Sequence, residues 1–348
     1  MKTGVMVLNF GEPEEATKEA VEPFLERIFM ANAGLGGPIT PKEAAARSKK
    51  MARARAPGLI EEYRAIGGSP VNAQARQQAH QLERELKRKG LDATCYIGMQ
   101  FVEPFIREAV ARAKEDGMER LVGLPVYPLC GKSTTVAALD DLQAALDDLD
   151  WAPQVREITG WHRHPEYLQL HADHINEYAI DQRIALHDAG TRLVFSAHGT
   201  PLKYLDDGPR YVLYVEETCR MIARALGVAD YLIGYQNHSN RPVEWTQPDT
   251  ESVIKEVEAK RVVVVAVSFM HEQSETLSEL DIELRQEAEQ VGLEFYRVPI
   301  PHDSARFTGL LADLVMNALR AEPVMGPLGM KRCLCRGRPD TFCLNASS

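Results

Sequence analysis

The sequence predicts an α/β protein made of two units in series, each a four-stranded parallel sheet flanked by helices. Three observations carry this expectation. Short apolar, β-branched runs bounded by turn residues alternate with amphipathic stretches of helical period. The alternation occurs twice along the chain. No fixed-period repeat accompanies it, so the duplication is one of architecture. In the first half the strand runs are "GVMVLNF" (4–10), "ATCYIG" (93–98), "RLVGLPV" (120–126) and "QVREITG" (154–160). In the second they are "RLVFSAHG" (192–199), "DYLIGYQ" (230–236), "RVVVVAVSF" (261–269) and "LEFYRVP" (293–299), separated by helical stretches such as 211–226 and 275–291. Alternating strands and helices imply parallel sheets with right-handed crossovers, and two such units leave a cleft between their carboxyl ends. The expected division is 1–160, 161–322 and a cysteine-bearing tail, 323–348.

Composition narrows the function classes. The chain has 348 residues, 45% hydrophobic and 26% charged, which is ordinary for a soluble globular protein able to bury a sizeable core. Its net charge of -10 argues against a nucleic-acid backbone as partner and makes a metal cation a more natural guest. The longest apolar run, "VVVVAVSF" (262–269), falls well short of the roughly 20 residues a membrane span requires. The start, "MKTGVMVLNFGEP", enters a strand without a signal-peptide layout, so a cytoplasmic protein is expected. Of six cysteines, Cys333, Cys335 and Cys343 crowd into the tail, unlike a disulfide framework spread over a small secreted fold.

Several stretches carry chemistry. In "TRLVFSAHGTP" (191–201) the buried run ends on His198, at the carboxyl end of a strand, where open α/β sheets hold ligands; a loop-capping histidine is the plainer alternative. After the most apolar strand comes "SFMHEQSETLSELDIELRQEAE", with Glu275, Glu279 and Glu283 spaced by four, Glu272 ahead of them and Asp281 between. That spacing forms one stripe on an α-helix and nearly aligns in a wider π turn, a distortion found at functional sites. The stripe could carry metal ions or protons, or be a solvated helix face. "FLERIFMANAGLGGP" (24–38) places Phe24, Leu25, Ile28, Phe29 and Met30 on an apolar face running into a glycine-rich loop, to be read as core packing or as a flap. Arg53 and Arg55, expected just ahead of a helix, could hold carboxylates through forked hydrogen bonds or be solvated. "GKSTT" (131–135) is a weak phosphate-loop signal, because Val126 stands where such a loop needs glycine.

Taken together, these residues resemble the ferrochelatase family. "GVMVLNFGEPE", "PFLERIF", "YRAIGGSP", "YIGMQFVEPFI", "YPLCGKSTT", "FSAHGTP", "PVEWTQPDT" and "ETLSELDIE" occur in the family's order over nearly the whole chain. The resemblance implies two Rossmann-like, chelatase-type domains around a porphyrin cleft and an enzyme that inserts ferrous iron, its substrate, into the macrocycle. It implies His198 as the active-site histidine and Glu275 as its partner carboxylate. Glu279 and Glu283, with Glu272 ahead of them, would form the path for metal or protons. Phe24 to Met30 resemble the apolar lip, with Phe29 and Met30 against the ring. Arg55 and Ser69 match positions that hold propionates, Tyr63 and Trp245 match cleft-lining aromatics, and Phe10 occupies the strand-end site facing the ring.

The chemistry asks for these types. Metallation requires bending a flat macrocycle, removing two pyrrole protons and stripping water from iron. A neutral imidazole suits the first proton transfer, and apolar walls grip and strain the ring. "LNFGEPE" and the apolar lip resemble the protoporphyrin subgroup, so protoporphyrin IX is expected as substrate and protohaem, the end of haem biosynthesis, as product. A coproporphyrin ferrochelatase, another tetrapyrrole chelatase, or a non-catalytic haem-binding or iron-sulfur protein are the alternatives. The family resemblance also allows peripheral contact with the inner face of the membrane, and says nothing of oligomeric state.

Departures accompany the match. Gln273 stands where the family usually has a histidine, with His271 displaced by two; Gln100 replaces a basic residue; and the glycine run before Ser69-Pro70 is one residue short. In "WHRHP" (161–165), His164 is expected at the surface. The tail, Cys333-x-Cys335 with Cys343 further on, resembles the extension by which some ferrochelatases hold a [2Fe-2S] cluster with one ligand from inside the fold. Such a cluster needs four thiolates, and Cys130 lies near the family's internal ligand position. Zinc on the same cysteines and an unligated tail are the alternatives.

Overall fold

The computed structural model describes residues 1–206, 208–237, 243–320 and 328–345. The expected boundary at 322/323 lies outside the described residues. The first half runs β1 (Thr3–Asn9), α1 (Lys18–Ala31), α2 (Pro41–Ala65), α3 (Val71–Arg88), β2 (Ala93–Met99), α4 (Ile106–Glu115), β3 (Arg120–Pro125), α5 (Ala137–Asp148) and β4 (Gln154–Ile158). Helix α6 (Pro165–Asp181) leads to β5 (Thr191–His198), α7 (Tyr211–Leu226), β6 (Tyr231–Gln236), α8 (Thr250–Glu256) and β7 (Arg261–Ala266). A π-helix over Glu275–Leu284, α9 (Arg285–Gln290), β8 (Glu294–Val298) and α10 (Ala305–Ala318) follow, and the tail forms β9 (Lys331–Arg332) and β10 (Thr341–Cys343).

The central strands explain why the sequence reads as it does. Val5 to Leu8 of β1 and Val262 to Val264 of β7 are fully buried, as expected of parallel strands covered on both faces. The first sheet has the order β2-β1-β3-β4-β10-β9 and the second β6-β5-β7-β8. In each, the strand order reverses beside the first strand of its unit, between β1 and β3 and between β5 and β7. Such a reversal opens a crevice at the carboxyl ends, so the residues just after β1, β5 and β7 are the ones placed for ligands.

Four differences from the sequence expectation stand out. The first sheet has six strands rather than four, because the tail returns to it: β10 pairs parallel with β4 (Phe342 opposite Ile158) and antiparallel with β9. Arg336 fixes that return from a buried position, donating to Glu157 at 2.6 and 3.1 Å and to Asp140 at 2.6 Å. Buried charges persist when paired and hydrogen-bonded in this way. Second, α10 packs on the first sheet, where Phe307, Leu310, Leu311, Leu314 and Val315 share a core with Val5, Val7, Leu82 and Leu124. Third, Arg53 and Arg55 lie within α2 and not ahead of it, since a capping box between Thr40 and Glu43, followed by Pro41, starts that helix early. Fourth, His164 is buried: its Nδ1 accepts from the Glu166 N–H as the N-cap of α6, and burial holds its pKa down at about 4.

Candidate active site

Between the carboxyl ends of the two sheets lies a cavity of about 1060 Å³. His198 ends β5 at its wall. Its N–H donates to Ser268 Oγ at 2.7 Å, and its carbonyl accepts from Tyr211 Oη at 3.0 Å, so the backbone is held on both sides of the side chain. Nδ1 lies 3.2 Å from Glu275 Oε1. An Nδ1–H donating to that carboxylate leaves Nε2 with the lone pair, the arrangement of a proton acceptor.

Glu275 opens the π-helix, the distortion that the four-residue spacing anticipates. Gln236, at the end of β6, donates through Nε2 to the Glu275 carbonyl at 2.9 Å and to Glu279 Oε2 at 3.0 Å, tying the Glu279 carboxylate to the backbone of Glu275. Gln273 Nε2 donates to Glu275 Oε2, so the residue at the family's histidine position supports the pair through a hydrogen bond. Burial, then the charges of Glu275 and Glu283, push the Glu279 carboxyl up to about 8. Glu283 is also raised, chiefly by burial with a further push from Glu62, while Arg55 opposes it. Glu275 and Glu279 line the cavity, whereas Glu283 is exposed, so the row runs from cavity to surface.

The unfolded chain loses the Glu279 proton near the ordinary 4.5 and the fold keeps it to about 8, so holding this carboxyl costs stability that grows as pH rises through that window. Glu279→Gln is therefore expected to raise the melting temperature at pH 8 by about 2–5 °C and to change it little at pH 4.5. Calorimetry at the two pH values checks this; an equal shift at both would contradict it.

The other expected residues divide into those that meet at the cavity and those that do not. Phe10, Phe29, Met30, Arg55, Tyr63 and Trp245 line it, with Phe10 tilted against Phe101 at 4.6 Å between ring centroids. Phe24 and Leu25 are core residues as well as lining ones, 2% and 6% exposed, so this helix face packs as core and also borders the cavity. Arg55 donates to Glu62 at 2.7 Å. Ser69 donates to Glu12. Glu272 lies apart from the row. It is buried and accepts from Arg297 Nη1 and Thr276 Oγ1, both at 2.6 Å, and from the Ile300 N–H at 2.8 Å. Standing before the π-helix, it faces β8, where Arg297 also pairs with Asp281.

The structure adds residues that are not among those expected at the site. Gln236 is one and Glu12 another. Glu12 is 5% exposed and accepts from Tyr63, Ser69 and Ser274, with burial pushing its carboxyl up. Asp141, also lining the cavity, is raised to about 6 by burial and by Asp140, and Tyr127 Oη donates to Gln100 Oε1 at 3.2 Å.

Among the described residues no group of three or more His, Cys, Asp or Glu side chains is arranged to hold a metal ion. The tail thiols nonetheless share one neighbourhood. Cys333 is hydrogen-bonded to Cys335 and Cys343, which hold its thiol well down, and Cys130 lies close enough to Cys333 for their charges to interact. Tyr214 Oη approaches Cys335 Sγ at 3.5 Å. Four thiols match the donor set of an iron-sulfur centre in kind and number.

A cleft between two parallel sheets, walled by aromatic side chains and carrying a histidine–carboxylate pair with an acidic row leading away, defines a chelatase-type α/β protein. A structure of SirB from Bacillus subtilis with Fe3+ has the same fold, with a TM-score of 0.50 at 9% identity, covering 93% of this chain and 96% of that one. The chain belongs to the ferrochelatase family, whose model matches residues 2–319. It is 37% identical over 333 residues to a ferrochelatase of Synechococcus sp. (strain RCC307), covering 93% of this chain and 84% of the relative. It is 35% identical over 328 residues to one of Gloeobacter violaceus, covering 91% and 98%. The match to the family model ends before the cysteine-bearing tail.

Proposed function

We propose that the protein inserts ferrous iron into protoporphyrin IX, giving protohaem at the last step of haem formation. The observation that carries this reading is the His198–Glu275 pair at the wall of a cavity lined by Phe10, Phe29, Tyr63 and Trp245. Insertion exchanges two pyrrole protons for one Fe2+, so two protons must leave for each metal that enters. His198 Nε2 takes each proton while the ring is bent, Glu275 stabilises the imidazolium, and Glu279 and Glu283 pass the proton outward. A carboxyl with a value near 8 both holds and releases a proton close to neutrality, which suits a relay. Arg55 and Ser69 serve the propionates after giving up Glu62 and Glu12, and Glu12 keeps its first-sheet anchor through Tyr63. Anaerobic assays with protoporphyrin IX and coproporphyrin III test the substrate: a higher kcat/KM for protoporphyrin is expected, and a preference for coproporphyrin would reassign it.

The lip is expected to grip the macrocycle. Phe29→Asp should weaken porphyrin binding about tenfold or more while moving the melting midpoint little, because Phe29 lies at the edge of its cluster. Unfolding of the variant, seen by circular dichroism, would mark Phe29 as core instead.

Two finer assignments belong to the same proposal. Cys130, Cys333, Cys335 and Cys343 hold a [2Fe-2S] cluster, supported by their shared neighbourhood and thiol donor set; when bound, the cluster supplies a one-electron couple. The protein works in the cytoplasm, meeting the membrane's inner face at its periphery. Among the described residues no helix is long and apolar enough to cross a membrane, and Met30 at the cavity is 42% exposed.

A further inference from the structure

The carboxylate of Glu12 lies between the two halves of the cleft. Gly11, with a φ of +76° and no room for a side chain (a Cβ would sit 2.5 Å from Val102), turns the chain after β1. Asn72 then fixes the Glu12 backbone, its Nδ2 donating to the Glu12 carbonyl at 2.7 Å and its Oδ1 accepting from the Glu12 N–H at 3.1 Å. The side chain reaches across the cleft. Oε1 accepts from Tyr63 Oη on the first-sheet side, at 3.2 Å, and from Ser274 Oγ on the second-sheet side. Oε2 accepts from Ser69 Oγ on the first side and from the Ser274 N–H, at 3.1 Å, on the second. Each oxygen thus bridges the halves, and the residue it holds immediately precedes Glu275.

We propose that Glu12 is a positioning residue for metal insertion: its carboxylate clamps Ser274 to the first-sheet wall and thereby sets Glu275 against His198. This rests on the function proposed above. Glu12 need not touch porphyrin or iron; its effect travels through one peptide bond to a carboxylate that must stay within hydrogen-bonding distance of the imidazole. A displacement on the order of 1 Å at such a pair is enough to slow a reaction about 100-fold. Hydrogen-bonding geometry, more than charge, carries the role. A glutamine amide can keep the clamp, with its oxygen in the Oε2 seat accepting from the Ser274 N–H and its NH2 in the Oε1 seat facing hydroxyls that can rotate to accept.

Anaerobic steady-state insertion by wild type, Glu12→Gln, Glu12→Ala and Ser274→Ala tests this, with melting curves taken on each. Glu12→Ala is expected to lose about 100-fold in kcat with KM for porphyrin within about twofold. Glu12→Gln should retain most turnover, and added formate, a carboxylate small enough for the vacated seat, should restore part of the loss in Glu12→Ala. Ser274→Ala, which removes one of the two bridges, should lose about tenfold in kcat. If Glu12→Ala does not fold, the glutamine and Ser274 variants decide. A wild-type kcat in Ser274→Ala or in folded Glu12→Ala, or a Glu12→Gln as impaired as the alanine, would overturn the clamp while leaving the proposed function standing. A wild-type protein without turnover would overturn both.

Discussion

Alanine in place of His198 is expected to abolish iron insertion and to leave porphyrin bound. The expected loss in kcat is about 10³-fold or more, because the substitution removes the proton acceptor and also the group that Glu275 orients. In the proposed function porphyrin affinity comes from the aromatic and apolar wall, which the substitution leaves in place. Glu275→Gln keeps the shape of the side chain but removes the charge facing Nδ1 at 3.2 Å, so it too should be severely impaired. Glu279→Gln should be affected less, lying one step further along the row. Porphyrin fluorescence titration separates binding from turnover. Near-normal turnover by His198→Ala would remove this histidine from the mechanism.

The second large effect belongs to the tail. Protein purified without oxygen is expected to be coloured, with about two irons and two inorganic sulfides per chain. Cys333→Ser should lose the colour, since Cys333 is the thiol hydrogen-bonded to two of its neighbours, and so should Cys130→Ser. Cys219→Ser should keep it, because Cys219 is fully buried in α7 within the second sheet's core. Colourless, zinc-loaded wild-type protein would contradict the cluster, and loss of colour in Cys219→Ser alone would reassign the internal ligand.

The elements that sequence reveals are those whose side chains report burial directly. Strands covered on both faces must be apolar throughout, so β1, β5 and β7 are visible as runs of Val, Leu and Met. His198 and the glutamate row are visible because each abuts such a strand. The tail strands are two and three residues long and take their order from pairing with β4 and from the Arg336–Glu157 ion pair, a partnership no local pattern encodes. Helix α10 follows the second sheet in the chain but buries its apolar face on the first, and periodicity tells which face is buried without telling against what. Glu272 resembles its neighbours in sequence. Its separation from the row is decided by Arg297, twenty-five residues later. Glu12, in a Gly-Glu-Pro turn, has neither spacing nor company to mark it; only the approach of Tyr63, Ser69 and Ser274 gives it a role.

The central claim is that this cleft turns over. Haem formed per chain, followed anaerobically with ferrous iron and protoporphyrin IX in excess, measures it most directly. The His198–Glu275 pair and its acidic row predict many haems per chain, at a rate that His198→Ala eliminates. A single equivalent that stays bound, with no further product, would contradict catalysis and make the protein a haem carrier that retains the fold.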